Sequence, residues 1–380
     1  MARLRALAVP TGDALPTLLP ALQGVLDGDD DAFTPVGSDT APATLAALRV
    51  EESIDDDIAL VVTTSGTTAT PKGALLTGAA LTASASATHE RLGGPGRWLL
   101  ALPAHHIAGI QVLVRSLVAG QTPVQLDVTA GFDVSALPAA VAALGSGRRY
   151  TALVATQLAK ALNAPAAAAA LAELDAVLLG GGPAPQPILA AAAANGIHVV
   201  RTYGMSETAG GCVYDGLPLP GVGVRIGADG RIALGGPTLA RGYRNPVIPD
   251  PFAEAGWFQT DDVGTLDDAG VLAVLGRVDD AISTGGLTVL PGPVEAALAT
   301  HPTVADCAVF GVADDRLGQR VVAAVVAAGA TTPTLEALRA HVVAALDATA
   351  APRELHVVAE LPRRGIGKLD RKALVRRFTR

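Results

Sequence analysis

Residues 166–208, AAAAALAELDAVLLGGGPAPQPILAAAAANGIHVVRTYGMSET, decide the fold. An Ala-rich helix leads into the apolar strand 176–179, the loop GGGPAP follows, a second Ala-rich helix closes at Asn195-Gly196, and the strand 197–201 opens onto the loop TYGMSET. Asn-Gly ends a helix because both residues tolerate the left-handed backbone. Strands that alternate with helices pair in parallel, with helices over both faces. Ligands of such sheets sit at the carboxyl ends of the strands, where this unit puts its glycines and hydroxyls.

Outward from this unit the chain has 380 residues, enough for two domains. Half of them are hydrophobic but only 3% aromatic, and the Ala, Val and Leu excess is that of buried parallel strands under packed helices. A net charge of -8, with Lys and Arg spread thinly until the last stretch, argues against a nucleic-acid footprint. The one basic run, Arg363, Arg364, Lys368, Arg371, Lys372, Arg376, Arg377 and Arg380, reads either as a solvated helix face or as a binder of a small polyphosphate. Cys212 and Cys307 fit neither a disulfide framework nor a zinc site. With no secretory leader and no apolar run of membrane-spanning length, a cytoplasmic protein is expected.

After Gly216 the runs GVGVRI, RIALGG and VLAVLG predict a small antiparallel barrel or sheet. After GRVDD (residues 276–280) the pattern changes again, to helix 294–300, strand 305–310, turn 314–318, strand 321–326, helix 335–346 and strand 355–358. Two domains are therefore expected, 1–278 and 279–380. The fold class is α/β, a large N-terminal domain of layered, mostly parallel sheets with a β-barrel-like subdomain and a small mobile α+β C-terminal domain. The penta-Ala stretch has no period that would suggest a solenoid.

The segment TTSGTTATPKG (residues 63–73) leaves the strand IALVV. Hydroxyls, glycines and one lysine on such a loop can wrap polyphosphate oxygens, the other reading being a Ser/Thr linker. It is not a Walker A loop, since Pro71 stands where that motif requires its second Gly and Gly73 where it requires Ser or Thr.

This loop resembles the phosphate-binding signature of the acyl-adenylate-forming superfamily, and that family's other motifs follow in order. The resemblance implies a nucleotide site made of Thr63, Thr64, Ser65, Gly66, Thr67, Thr68 and Lys72, of the adenine-flanking Gly181, Gly182 and Pro183 in LLGGGPAP, and of Thr202, Tyr203, Gly204, Met205 and Ser206. Within YGMSET it implies Tyr203 stacked on adenine, Thr208 on the α-phosphate and Glu207 on Mg²⁺. GWFQTDDVG (residues 256–264) is similar to the family's TGD segment, and register gives the ribose to Asp262, with Asp261 a competitor in the family's Gly position. GRVDD resembles the hinge motif, with Arg277 near the ribose and Asp279 as pivot; Ser283-Thr-Gly285-Gly286 resembles the segment beside the CoA tunnel. PRRGIGKLDR (residues 362–371) is similar to the loop of the adenylation lysine, here Lys368, a mobile point charge that can bridge carboxylate and α-phosphate. The catalytic set implied is thus Lys368, Thr208 and Glu207. ATP and CoA enter as co-substrates and Mg²⁺ as cofactor. The resemblance runs from residue 58 to the C-terminus, and the part before it is shorter than the family usually carries.

Within the superfamily, LPAHHIAGIQVL (residues 102–113), VATQLAKAL (residues 154–162), GGGPAP and the short N-terminus resemble the o-succinylbenzoate–CoA ligase family of menaquinone biosynthesis. An aromatic dicarboxylic acid is the substrate this implies. His106 matches the pocket His, Gly204 borders the pocket, and Lys160, with Arg148, Arg149 and Arg201 as rivals, is a cation for the second carboxylate. A homodimer is one assembly the resemblance admits. A ligase for another aryl or fatty acid, an adenylation module loading a carrier protein, and a non-enzymatic nucleotide binder are the rival readings; retention of Glu207, Asp262 and Lys368 together disfavours the last.

Overall fold

The computed structural model of the chain describes residues 2–38, 40–64, 71–364 and 368–379, with Arg364 and Lys368 described in their backbone only. The large body is built on two sheets. In the first, Arg5–Ala8, Phe33–Val36 and Ile58–Val62 run parallel and Ala74–Thr77 returns antiparallel. The second has seven strands, of which Val199–Met205, Ala176–Gly180, Arg149–Val154, Arg97–Leu100 and Val124–Gln125 are parallel neighbours, with Gly210–Tyr214 and Leu217–Pro218 added antiparallel at one side.

Strand pleat assigns the second sheet's side chains to two cores. Trp98, Leu100, Tyr150, Leu178 and Val200 face the first sheet, across the helices Leu15–Asp27, Gly78–Arg91 and Ile107–Val118. Their neighbours Leu99, Leu153, Val177 and Leu179 face the opposite way, under the short Ala-rich helices Pro165–Ala172 and Gln186–Ala194. Burial on both faces is why these strands read as continuous apolar runs. Of Asn195-Gly196, only Gly196 takes the left-handed backbone, at φ +73°, while Asn195 stays at φ -90°.

TYGMSET is not a loop. Thr202 to Met205 complete the strand Val199–Met205, because Gly210–Tyr214 folds back onto it with Gly204 opposite Gly211, and Ser206–Thr208 is a single 3-10 turn. The third sheet is an open antiparallel meander of Gly223–Ile226, Arg231–Gly235, Trp257–Leu266 and Leu272–Arg277. Its longest strand carries the TDD segment, whose polar run hides the alternation expected of a strand.

Beyond the turn Val278–Asp280, a five-stranded sheet of Ile282–Thr284, Leu287–Val289, Val304–Asp314, Gly318–Ala327 and Glu354–Val357 takes Pro291–Ala299 and Leu335–Ala345 on one face and Arg371–Phe378 on the other. Each face has its own apolar core of Val, Leu and Ala. The backbone of Lys368 lies in a two-stranded hairpin, Lys368–Leu369 against Arg363–Arg364.

Candidate active site

The carboxyl edge of the second sheet meets the third sheet at the pair Tyr203 and Asp262. The Tyr203 phenol donates to Asp262 Oδ2 across 2.7 Å, a charge-assisted bond. Burial and the Asp262 carboxylate push the Tyr203 hydroxyl far above its ordinary value, so it stays protonated and keeps donating. Asp262 is 14% exposed and Asp261 44%. The two acids are sorted by their partners: Asp261 holds Arg231 on one side and Arg277, at 3.2 Å, on the other, while Asp262 faces Tyr203 and lies 3.6 Å from Arg277. Gly181, Gly182 and Pro183 form the exposed loop beyond Ala176–Gly180, and the Thr202 hydroxyl donates back to the Leu179 carbonyl at 3.3 Å.

A second group forms where residues 71–73 return from the phosphate loop. Glu207 is buried in the turn Ser206–Thr208, and its Oε1 accepts from the Tyr243 hydroxyl at 2.6 Å. Lys72 places its ammonium 5.3 Å from the centre of the same Tyr243 ring, so Glu207 and Lys72 converge on one aromatic residue. Burial and the Glu207 carboxylate raise the Tyr243 hydroxyl well above the tyrosine range. The loop's exit is gripped by the segment RGYRN (residues 241–245): the Arg244 N–H donates to the Gly73 carbonyl at 2.8 Å and the Asn245 amide to the Pro71 carbonyl at 2.8 Å. Gly73 is obligatory there, since a Cβ would lie 2.5 Å from Leu48 and its φ is +68°. Arg244 is itself buried, donating to the carbonyls of Leu48, Arg49 and Ser53. Residues 48–53 therefore anchor the segment that holds residues 71–73.

Thr63 and Thr64 open that loop; Ser65, Gly66, Thr67 and Thr68 lie outside the described residues. Thr208, the hydroxyl expected at the α-phosphate, is turned into its own backbone. Thr208 is 1% exposed, and its Oγ1 is spent inside the turn, 2.7 Å from the Gly210 carbonyl, 3.1 Å from that of Met205, and accepting from the Met205 N–H at 3.0 Å. Ser206 is the hydroxyl that faces the phosphate loop, 3.5 Å from the Thr63 carbonyl oxygen. Met205 packs with Tyr203 against the apolar face of the third sheet, and Gly204 is closed over by Gly211.

The cations proposed for a second carboxylate separate by edge. Arg148 and Arg149 precede or open the strand Arg149–Val154, at the amino edge, the wrong end of a parallel sheet for ligand. Arg149 is bound to Glu173 and Asp175 there, and Arg148 lies against Gly93 and Gly94. Arg201 is paired with Asp215 at 3.1 Å. Lys160 is exposed in the last turn of the helix Ala155–Leu162. His106 sits at the carboxyl edge, as the residue before the helix Ile107–Val118, whose Ile107 and Gln111 pack on Gly210.

Arg277 also reaches Asp279, at 3.3 Å, in the turn Val278–Asp280. Gly285 and Gly286, both at positive φ (+60° and +81°), are the exposed two-residue turn between Ile282–Thr284 and Leu287–Val289, so their lack of side chains already has a backbone reason. Gly365 and Gly367, which precede the lysine, lie outside the described residues.

The donor set suits Mg²⁺ carried in on a polyphosphate. Among the described residues no group of three or more His, Cys, Asp or Glu could hold a metal alone. Glu207 is a single hard oxygen donor beside the phosphate loop, and Mg²⁺ takes one or two carboxylates with phosphates and water for the rest.

Parallel sheets with a Tyr–Asp pair at their carboxyl edge and a small α+β unit beyond them are the architecture of an adenylate-forming enzyme, and the chain belongs to the AMP-binding enzyme family, which matches residues 11–244, with the AMP-binding enzyme C-terminal domain at 293–368. It is 72% identical over 378 residues (99% of this chain, 98% of the relative) to the probable 2-succinylbenzoate–CoA ligase of Mycobacterium tuberculosis (strain ATCC 25618 / H37Rv). It is 34% identical to the 2-succinylbenzoate–CoA ligase of Geobacillus kaustophilus (strain HTA426), over 93% of this chain and 76% of that one. The fold matches o-succinylbenzoate CoA synthetase from Bacillus subtilis in complex with the acyl-adenylate intermediate, with a TM-score of 0.77, 26% identity and 98% of this chain and 88% of that one covered. Among the described residues no helix is long and apolar enough to cross a membrane.

Proposed function

We propose that the chain is an AMP-forming acid–CoA ligase acting on 2-succinylbenzoate in menaquinone biosynthesis. The carboxylate attacks the α-phosphorus of ATP, forming acyl-adenylate and releasing pyrophosphate; the thiol of CoA then attacks the acyl carbon and AMP leaves. The observation that carries the reading is the convergence on one sheet edge of Tyr203 with Asp262 and, beside the phosphate loop, of Glu207 with Lys72.

In this reading Asp262 accepts from the ribose hydroxyls, and its bond to Tyr203 fixes the ring that lies over adenine. Arg277 holds the ribose side from the hinge. Ser206, Thr63 and Thr64 present hydroxyls to the phosphates, with Lys72 as their cation. Glu207 would hold Mg²⁺, which neutralises phosphate charge when bound. Lys368 bridges the attacking carboxylate and the α-phosphate, on whose oxygens negative charge gathers in the transition state. Residues 1–278 and 279–380 are two bodies that rotate about Asp279, exchanging Lys368 for the Gly285-Gly286 turn between the half-reactions. His106 borders the acid pocket, and Lys160 is the cation offered to the second carboxylate. Two free cysteines suit the reducing cytoplasm in which we place the protein.

The test is incubation with ATP, Mg²⁺, CoA and a panel of aromatic and fatty acids, read by mass spectrometry. 2-Succinylbenzoyl-CoA with stoichiometric AMP is expected; thioester from other acids alone, or only with a phosphopantetheinylated carrier protein, would overturn the substrate or the acceptor. Lys368→Ala should lower ATP–pyrophosphate exchange about 10²-fold to 10³-fold and spare thioester formation from supplied acyl-adenylate.

A further inference from the structure

Arg371, three residues beyond the lysine and the last residue of PRRGIGKLDR, makes four side-chain hydrogen bonds within the C-terminal body. Its Nη2 meets both oxygens of Glu295 at 2.7 Å, its Nη1 meets Asp280 at 3.1 Å and its Nε donates to the Val309 carbonyl at 3.2 Å. The guanidinium is 21% exposed and Glu295 13%, so water screens this cluster less than a surface pair. Glu295 also accepts from the Val309 N–H at 2.8 Å, which locks the helix Pro291–Ala299 to the strand Val304–Asp314.

The same region closes the base of the lysine hairpin. The Asp370 N–H donates to the Pro362 carbonyl at 2.8 Å, Asp370 caps the helix Arg371–Phe378 through the Ala373 N–H at 3.0 Å, and Arg363 bonds Asp306 at 2.6 Å. Across the hinge the arrangement is mirrored. Asp279 is held by Arg277, which is bonded to Asp261 of the third sheet, whereas Asp280 is held by Arg371. Two consecutive carboxylates are therefore gripped by arginines that belong to different bodies.

We propose that Arg371, with Asp280 and Glu295, is a positioning group that welds the hinge to the lysine hairpin, so that the moving body begins at Asp280 and the rotation is confined to the backbone between Asp279 and Asp280. This rests on the ligase reading and deepens it. A rotation confined to one linkage delivers Lys368 at a fixed radius; a loosened weld lets it arrive displaced, and a displacement of about 1 Å from reacting geometry costs on the order of 10²-fold. Three different nitrogens of the planar guanidinium serve Glu295, Asp280 and the Val309 carbonyl, a spread that the single nitrogen of a lysine cannot present.

The experiment compares Arg371→Lys, Asp280→Ala and the double variant with the unaltered chain, measuring ATP–pyrophosphate exchange, thioester formation from supplied acyl-adenylate, and Tm. Expected are exchange rates lowered about 10-fold in each single variant, thioester formation within about 2-fold, and a double variant no slower than the slower single one, because both cut the same connection. Parallel loss of both half-reactions with falling Tm would reduce the cluster to a stability element, and unchanged exchange would overturn the proposal. Should Arg371→Lys not fold, Asp280→Ala decides alone, since it leaves the Arg371–Glu295 contact intact. Absence of exchange in the unaltered chain would sink the ligase reading, whereas an active chain with unaffected variants sinks only this inference.

Discussion

Asp262 accepts a hydrogen bond from the Tyr203 phenol across 2.7 Å, while Asp261, next to it in the chain, turns to Arg231 and Arg277. This division ranks the two acids. Asp262→Asn should raise KM for ATP by about 10-fold or more, the worth of a charge-assisted hydrogen bond to a ribose hydroxyl. Asp261→Asn should change it by less than about 3-fold, its ion pairs being half exposed. Equal effects, measured in initial-rate ATP titrations, would show that both acids share the ribose.

Ser206 and Thr208 separate in the same way. Ser206→Ala should slow ATP–pyrophosphate exchange about 10-fold with little change in Tm. Thr208→Val keeps the shape but strands the Met205 N–H and the Gly210 carbonyl, so about 1–3 kcal/mol of stability is lost, read by denaturant unfolding. A stable Thr208→Val chain with slowed exchange would return the α-phosphate to Thr208.

Tyr243 steadies Glu207 through a 2.6 Å bond. Glu207→Gln should shift the Mg²⁺ concentration for half-maximal activity upward by about 10-fold, and Tyr243→Phe in the same direction by about 3-fold, since it removes one hydrogen bond and keeps the carboxylate. A Mg²⁺ titration of the exchange reaction reads both. No shift in Glu207→Gln would remove the metal assignment.

His89 predicts a pH-dependent stability. Its Nε2 accepts from the Trp98 indole N–H at 3.3 Å, and burial, aided by the Arg115 charge, lowers its pKa from 6.5 to about 4. Between those values the unfolded chain binds a proton that the folded chain refuses, so this contribution is complete above pH 6.5 and declines as pH falls toward 4. His89→Gln keeps an acceptor that does not titrate; its Tm should fall less between pH 7 and 5, followed by tryptophan fluorescence. Identical slopes in the two proteins would contradict it.

Much of the candidate site was legible in the linear order of its loops, because a hydroxyl-rich loop after a buried strand, a Gly-rich strand exit and a lysine following two glycines are local chemistry. Tyr243 was not. It belongs to the segment RGYRN and matters only through contacts with Glu207 and Lys72, far away in the chain. Its sole linear signal is scarcity, as one of four tyrosines set in a polar stretch. The same holds for Arg244, whose three carbonyl partners lie in residues 48–53.

By itself the sequence determined the alternation of strand and helix, the two-sided burial that makes the central strands apolar, and which groups are candidates to handle phosphate. All of these follow from residues close together in the chain. Tertiary structure alone decided which of two adjacent aspartates faces the tyrosine, which hydroxyl of Ser206-Glu207-Thr208 stays available, and that Arg148 and Arg149 stand at the wrong edge of the sheet. Those outcomes depend on strand pairing, a turn folded back by its antiparallel neighbour, and the end of each strand at which a residue falls, and none of these is a property of a short stretch of chain.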